Sequence, residues 1–206
     1  MVTTLVNTTL PLLARTLDFA SPQTAELRDW ILIGHAVLGL LASWYLAVAL
    51  ASRATGAAGA GLMFALIEKG TELAGQIILV FTVHRGWRAE LARTAEPARR
   101  VILEARIGLF DDLWDDTYLV FWAGALLSNL CWFAAARHTG RHRRGLCTAF
   151  LVMALLTIAL ILEDYAGQRW LKSWLSIAYP VLLTGSRAWI AWWLRRAGRQ
   201  SPDRAS

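Results

Sequence analysis

The chain is poor in cysteine, in charged residues and in recognisable catalytic motifs. Its two cysteines, Cys131 and Cys147, lie in apolar segments without CxxC or Cys–His spacing. They are therefore expected to be small buried side chains, which excludes a disulfide framework, a cysteine metal site and a thiol nucleophile. The sequence contains no Walker loop, no GxSxG and no HExxH, so the enzyme classes that these motifs mark are not indicated. It also has no internal repeat and no low-complexity tract.

Apolar residues dominate instead. Hydrophobic residues make up 56% of the 206 residues, charged residues only 17%, and the mean hydropathy is +0.43. Near-continuous apolar runs of helix length predict a polytopic membrane protein, and their lack of alternation favours helices over a closed barrel. We expect an all-α membrane bundle with about five transmembrane helices plus amphipathic interfacial helices. The predicted spans are 29–52, 56–84, 117–136, 145–162 and 171–194.

The segments outside the spans are predicted to belong to the same single integral membrane domain, 1–206. Residues 1–28 are interrupted by prolines and charges, which favours an interfacial segment, with a sixth span as the alternative. Residues 97–114 place apolar side chains at helical spacing among arginines, a pattern typical of an amphipathic helix in the headgroup plane. The fifth span is expected to be interrupted by Pro180 and Arg187, and residues 195–206 form a short basic tail.

The net charge of +6 is explained by membrane topology. Arginines cluster in the loops that flank spans, where they set orientation, so we expect a lipid bilayer and no nucleic acid as partner. Side A is defined here as the side that holds the N-terminus and the segment 85–116. Cations divide almost evenly between the two sides, but four arginines crowd residues 137–144 on the opposite side, side B. This density predicts a cytoplasmic side B and C-terminus, in a layout similar to that of many bacterial inner-membrane proteins.

Charged residues interrupt the second predicted span near its middle. At that depth one charged side chain costs about 2.5–3.5 kcal/mol or more, so such residues usually face a protein interior or a wet cavity. The two glutamates continue a stripe at helical spacing that is predicted to face the bundle and consists of Ala57, Gly61, Ala65, Glu68, Glu72 and Gln76. The opposite face is predicted to meet lipid and consists of Leu62, Leu66, Leu73, Ile77 and Val80.

Several polar residues are predicted at a similar depth. They are expected to form one cluster, which consists of Glu68, Lys69, Glu72, Tyr45, Asn129 and Arg187. One interpretation is a buried salt-bridge network neutralised by Lys69 or Arg187, and the other is a substrate or proton site. His35 is alone in its span and is either a core histidine or a ligand-binding one. His84 lies next to basic residues and is expected to be solvated.

The spacing of the two glutamates constrains their charge. At about 6 Å and an effective dielectric near 20, two carboxylates repel by about 2.8 kcal/mol. One of them therefore stays protonated at neutral pH unless a cation lies between them. A carboxyl group poised in this way carries protons in a transporter or acts as a general acid in an enzyme.

An acidic run precedes the third predicted span. Its sequence DDLWDD contains DDLWD, which resembles the aspartate-rich DDxxD motif of prenyl-diphosphate enzymes, where it holds magnesium against a diphosphate. The resemblance implies a Mg²⁺ site formed by Asp111, Asp112, Asp115 and Asp116. Alternatively, the acids form the solvated start of a helix, where the helix dipole favours negative charge. Glu163 and Asp164 are predicted at the same membrane face.

Two functions stay open at this point. The first is small-molecule binding or proton-coupled transport, with Glu68 and Glu72 exchanging a proton and with Arg187, Asn129, Tyr45, Lys69 and His35 contacting the ligand. The alternative is an integral membrane enzyme that acts on a lipid or isoprenoid, with a glutamate as general acid and Mg²⁺ at the acidic run. Because 206 residues are few for a carrier, the first function suggests a homo-oligomer.

Overall fold

The computed structural model describes residues 22–140, 143–166 and 170–199, and no strand occurs in these ranges. The elements are α1 (Pro22–Ile78), a π-helix (Leu79–Arg88), α2 (Ala89–Arg93), α3 (Pro97–Ala136), α4 (Arg143–Asp164) and α5 (Trp170–Arg199). Most of the predicted interfacial segment 1–28 and the end of the basic tail 195–206 lie outside the described residues.

The predicted all-helical bundle is confirmed. Three of the described segments, Glu26–Arg93, Pro97–Ala136 and Arg143–Asp164, are long and apolar enough to cross a membrane, against about five that were predicted. Part of the difference in number arises because the first of these segments contains two predicted spans, 29–52 and 56–84, and is counted once. The fifth predicted span, 171–194, lies within α5, which continues through Pro180 and Arg187, where interruptions were predicted.

Helix α1 folds back on itself at Ala54. This residue leaves helical geometry (φ −156°, ψ 64°) and divides α1 into arm 1 (residues 22–53) and arm 2 (residues 55–78). The Thr55 hydroxyl donates to the Ala51 carbonyl at 2.7 Å and so satisfies a backbone acceptor beside the kink. Contacts then join residues of arm 1 with residues of arm 2 and the π-helix in reversed order, namely Glu26–Arg85, Asp29–His84 and His35–Glu72. The first two predicted spans are therefore antiparallel neighbours.

The π-helix changes which side chains face arm 1. Its i→i+5 hydrogen bonds widen the turn, and such insertions shift the following residues around the helix axis. Val80 and Val83 are both fully buried, whereas Ile77 just before them is 42% exposed. The prediction that Val80 faces lipid is wrong, because Val80 follows buried Gln76 by four residues and so lies on the same helix face.

Helix α3 is one element of 40 residues. The separate amphipathic helix predicted at 97–114 is instead the first half of this helix, because no proline or chain break separates it from the predicted span 117–136. The helix runs antiparallel to arm 2. Ring faces and backbone approach closely along this contact, with Trp132 against Gly61 and Trp114 against Gly75.

The apolar core lies mainly towards side B, where arm 1, arm 2, α3, α4 and α5 all contribute. Its members include Leu50, Trp132, Phe150 and Trp193. A smaller cluster of buried leucines joins α4 to α5 nearer side A, and it consists of Leu156, Leu160 and Leu175. The polar residues of interest lie between arm 1, arm 2 and α3, beside the main core rather than within it.

Glycine at position 124 sets the distance between arm 2 and α3. A Cβ there would lie 2.9 Å from the Glu68 backbone nitrogen and 3.2 Å from both the Glu68 Cα and the Phe64 carbonyl oxygen. These are backbone atoms, so the two helices would have to separate. Gly124→Ala should therefore destabilise the protein by about 1–3 kcal/mol, the usual cost of overpacking.

Gly108 on the same helix is the matched control, because a Cβ there has no neighbour within 4 Å. Gly108→Ala should be neutral or slightly stabilising, since alanine favours a helix over glycine by about 0.5–1 kcal/mol. Unfolding of both variants in mixed micelles titrated with a denaturing detergent gives the comparison. Equal stability of the two variants would contradict the close approach of α3 to arm 2.

Candidate functional site

Lys69 lies between the two glutamates of arm 2. Its Nζ is 2.9 Å from an oxygen of Glu68 and 2.9 Å from Oε2 of Glu72. All three side chains are largely buried, with exposed fractions of 7% for Lys69, 14% for Glu68 and 11% for Glu72. The expected proximity of a cation to both carboxylates is confirmed. One ammonium group therefore offsets the repulsion that would otherwise keep one glutamate protonated.

His35 of arm 1 completes this arrangement. Its Nδ1 lies 3.3 Å from Oε1 of Glu72, so the two oxygens of Glu72 are divided between an imidazole and an ammonium group. We call Glu68, Lys69, Glu72 and His35 the central network. Because an ionised carboxylate only accepts hydrogen bonds, this contact assigns the proton of His35 to Nδ1.

Neighbouring helices form the walls around Lys69. A Cβ at position 39 would lie 3.0 Å from Cε of Lys69, so the absence of a side chain at Gly39 leaves room for the lysine stem. The ring of Phe121 on α3 faces the ammonium group at 5.3 Å from its centroid, a cation–π distance. Half-buried Arg187 of α5 lies within electrostatic range of both Lys69 and His35.

Two residues expected in the cluster lie outside the central network. Tyr45 is 67% exposed on the outer face of arm 1, because it is adjacent in sequence to Leu46, which occupies the inward-facing position there. Asn129 is buried, but its Nδ2 donates to the Ala125 carbonyl of its own helix at 2.8 Å. A similar depth along a span did not imply a shared helix face, and the face decides which side chains meet.

A second buried charge lies near side A on the same contact between arm 1 and the chain after arm 2. Asp29 has no exposed surface, and its Oδ2 lies 2.8 Å from Nε2 of His84. Its Oδ1 accepts from Nε of Arg28 at 2.8 Å. We call Asp29 and His84 the outer pair. The prediction that His84 is solvated is wrong, because the π-helix turns it inwards among otherwise basic neighbours.

The acidic run before the third predicted span lies at the surface. Asp111, Asp112, Asp115 and Asp116 are all exposed, and their spacing of one and four residues places them on one outward-facing side of α3. Within the described ranges, no group of three histidine, cysteine or acidic side chains lies close enough to hold a metal ion. These residues do not form the expected Mg²⁺ site among themselves.

The end of α4 does lie close to this acidic run. The Tyr165 hydroxyl donates to the Asp115 carbonyl oxygen at 2.9 Å, so Glu163 and Asp164 are at the expected face. Partial burial, and then the nearby carboxylates of Asp164, Asp115 and Asp116, raise the pKa of the Tyr165 phenol.

Three buried side-chain atoms of the described residues have no hydrogen-bond partner. They are Nε2 of His35, Oε1 of Gln76 and Nε1 of Trp122. Leaving such a group unpaired usually costs about 1–3 kcal/mol, and bound water, protons or ligands are the common reasons that it persists. Nε2 of His35 belongs to the central network. Oε1 of Gln76 lies one helix turn beyond the network, since Gln76 follows Glu72 by four residues on arm 2.

Comparisons with known proteins give no independent identification. No protein-family model, curated protein or solved structure matches the chain. Functional conclusions must therefore come from the site itself.

The central network makes a direct prediction for Lys69→Met. This variant leaves two adjacent buried carboxylates without their shared cation, and breaking a buried pair in this way costs about 3–5 kcal/mol in soluble proteins. The free energy of unfolding in mixed micelles should fall by a similar amount. Adding Glu72→Gln to Lys69→Met should restore part of the loss, because it removes one unpaired charge.

Arg106→Met is the matched control for this prediction, since Arg106 is an exposed cation on α3. Its effect should stay within about 1 kcal/mol, the usual range for surface charges. If Lys69→Met were as mild as Arg106→Met, the glutamates would have to find other partners and the network would not depend on Lys69.

Proposed function

We propose that the chain is a small membrane carrier with about five spans, in which His35 and Glu72 exchange a proton as a small-molecule ligand binds. The observation that supports this most directly is the division of Glu72 between His35 and Lys69. Both groups of the His35–Glu72 contact gain and lose protons in proteins near physiological pH when their environment favours it. Buried ionisable residues in apolar helices are typical of proton relays in transporters.

The exchange balances when Nε2 of His35 takes up a proton as Nδ1 passes its own proton to Oε1 of Glu72. The imidazole then stays neutral, and the glutamate becomes neutral and attracts Lys69 less strongly. The ammonium group then interacts mainly with Glu68 and becomes available to an incoming acceptor. A ligand with a polar or anionic group would in this way be bound at the expense of the Lys69–Glu72 contact.

The same geometry selects the residues that would contact a ligand. Lys69 and His35 both contact Glu72, and Arg187 lies within electrostatic range of both, so we retain the three as proposed substrate-binding residues, with Glu68 and Glu72 supplying the carboxylates. Asn129 and Tyr45 lie outside this region and are not part of the proposal. Because the chain is small, we propose that the carrier acts as a homo-oligomer in a bacterial inner membrane, with the C-terminus in the cytoplasm.

The alternative of a lipid- or isoprenoid-modifying enzyme remains a prediction. It rests on a glutamate as general acid, with Mg²⁺ at the acidic run as an optional cofactor, and these four exposed aspartates do not form a metal site among themselves. No contact within the described ranges favours it over the carrier.

Proton movement provides the test of the proposed function. The protein is reconstituted into vesicles that contain a pH-sensitive dye, and a potassium gradient with valinomycin sets the membrane potential. Proton entry is recorded alone and with pools of organic anions, cations and zwitterions outside. We expect entry above that of protein-free vesicles, reduced by about tenfold or more in Glu72→Gln, as is usual when a proton-transfer group is removed.

Glu104→Gln is the matched control, because this carboxylate is 57% exposed on α3. It should leave proton entry unchanged. The absence of proton entry above background with every pool, or equal entry in the wild type and Glu72→Gln, would overturn the proposed function. Addition of EDTA to the same vesicles tests the enzyme alternative, since the carrier should not respond to it.

The proposed topology predicts that the two ends of α3 lie on opposite membrane sides. After Cys131 and Cys147 are replaced by serine, single cysteines are introduced as Arg99→Cys and Arg137→Cys. A membrane-impermeant thiol reagent added to intact cells should label Arg99→Cys, on side A, and not Arg137→Cys until the membrane is opened. Labelling of both or of neither in intact cells would contradict a membrane crossing by α3.

A further inference from the structure

We propose that Asp29 and His84 form a proton-entry site that exchanges protons between side A and the central network, with Gln76 as the connecting residue. This inference rests on the proposed function and extends it to residues that the central network does not contain. It is carried by three observations on one helix contact: a fully buried carboxylate, an imidazole bonded to it, and two unpartnered buried atoms further inwards.

The outer pair has the geometry of a proton relay. Nη1 of Arg88 lies 3.5 Å from Nδ1 of His84, and arginine can only donate, so Nδ1 is the acceptor there. The other nitrogen, Nε2, therefore carries the proton and donates it to Oδ2 of Asp29. In this state His84 is neutral, Asp29 is ionised, and the acceptor nitrogen of His84 faces exposed Arg88.

A proton can cross this pair without a net change in His84. A bond forms between an incoming proton and Nδ1 as Arg88 moves aside, and the Nε2–H bond then breaks as Oδ2 of Asp29 takes that proton. His84 is again neutral, and Asp29 is now a carboxylic acid inside the bundle. Once Asp29 has passed its proton on, rotation of the imidazole turns the protonated nitrogen towards Asp29 and resets the pair.

The next acceptors lie inwards along the same contact. His35 follows Asp29 by six residues on arm 1, which is about 9 Å along a helix axis. Gln76 lies between His84 and Glu72 on the facing chain, is only 3% exposed, and has an unpartnered Oε1. Water held by Oε1 of Gln76 would carry the proton from Asp29 to Nε2 of His35, whose own partner is also missing. Nδ1 of His35 then passes its proton to Glu72.

Charged groups around the outer pair come from three elements. Arm 1 supplies Arg28 and Glu26, the π-helix supplies Arg85 and Arg88, and α3 supplies Tyr118, which lies within electrostatic range of Arg28 and Glu72. Glu26 is largely neutralised by Arg85 on the outside of the contact. Of these two carboxylates, Asp29 is therefore the one that faces inwards. Arg28 donates a hydrogen bond to Asp29 and so supplies a positive charge beside it when His84 is neutral.

The vesicle assay described above tests the inference with four variants. Asp29→Asn and His84→Gln should each reduce proton entry by about tenfold or more, and Gln76→Leu should do the same although it removes no titratable group. Glu26→Gln is the matched control, since it removes a carboxylate at the same level but outside the relay, and should leave entry unchanged. The pH at which entry is half-maximal should change in His84→Gln and stay constant in Glu26→Gln.

The outcomes separate the two proposals. Loss of entry in Glu72→Gln but not in folded Asp29→Asn, His84→Gln and Gln76→Leu would overturn the entry site and leave the carrier intact. Loss in the outer-pair variants with normal entry in Glu72→Gln would overturn both, as would absence of entry in the wild type. Melting temperature and elution profile establish folding, and if Asp29→Asn does not fold, His84→Gln and Gln76→Leu decide.

Discussion

The structure depends on one shared cation in an apolar setting. At an effective dielectric of about 20, each 2.9 Å contact of Lys69 with a glutamate is worth about 6 kcal/mol of attraction. Repulsion between the glutamates removes about 3 kcal/mol of this sum, and placing three charges at membrane depth costs about 8–10 kcal/mol. The opposing contributions nearly cancel. Removal of one member is therefore costly, whereas the gain of a proton or an anionic group changes the balance with little net free energy.

Close helix packing is what makes this balance possible. The stem of Lys69 occupies the space that a side chain at Gly39 would fill, and Gly124 brings the α3 backbone against Glu68. Phe121 on α3 then covers the ammonium group. Small residues in membrane helices usually serve close approach between backbones, and here that approach also buries a charged network.

The spacing of residues along arm 2 was enough to predict which of its side chains face the bundle. It did not predict which side chains of other segments they would contact. The stripe with Ala65, Glu72 and Gln76 is buried as predicted, because 3.6-residue periodicity within arm 2 fixes a face. The prediction that Tyr45 belongs to the polar cluster is wrong, because it used only the depth of Tyr45 along the span and not the helix face on which the side chain lies. The prediction that His84 is solvated is wrong, because it was based on the basic residues next to His84 in the sequence. The π-helix and the turn at Ala54 instead bring His84 to Asp29. The reversal at Ala54 lies between the predicted spans 29–52 and 56–84, as expected, whereas the π-helix leaves no clear composition signal in the sequence.

The distribution of polar groups also distinguishes the helix contacts from one another. On α3 and α4, the side chains of Ser128, Asn129 and Thr157 each donate to a carbonyl of their own helix. These donors are therefore satisfied within one helix and do not bond across a helix contact. Between arm 1 and the chain from Lys69 to His84, by contrast, polar side chains bond across the contact and leave Gln76 and His35 with unused atoms. Because proton transfer needs groups that exchange partners, this contact, and not those around the apolar core, is where function is to be sought.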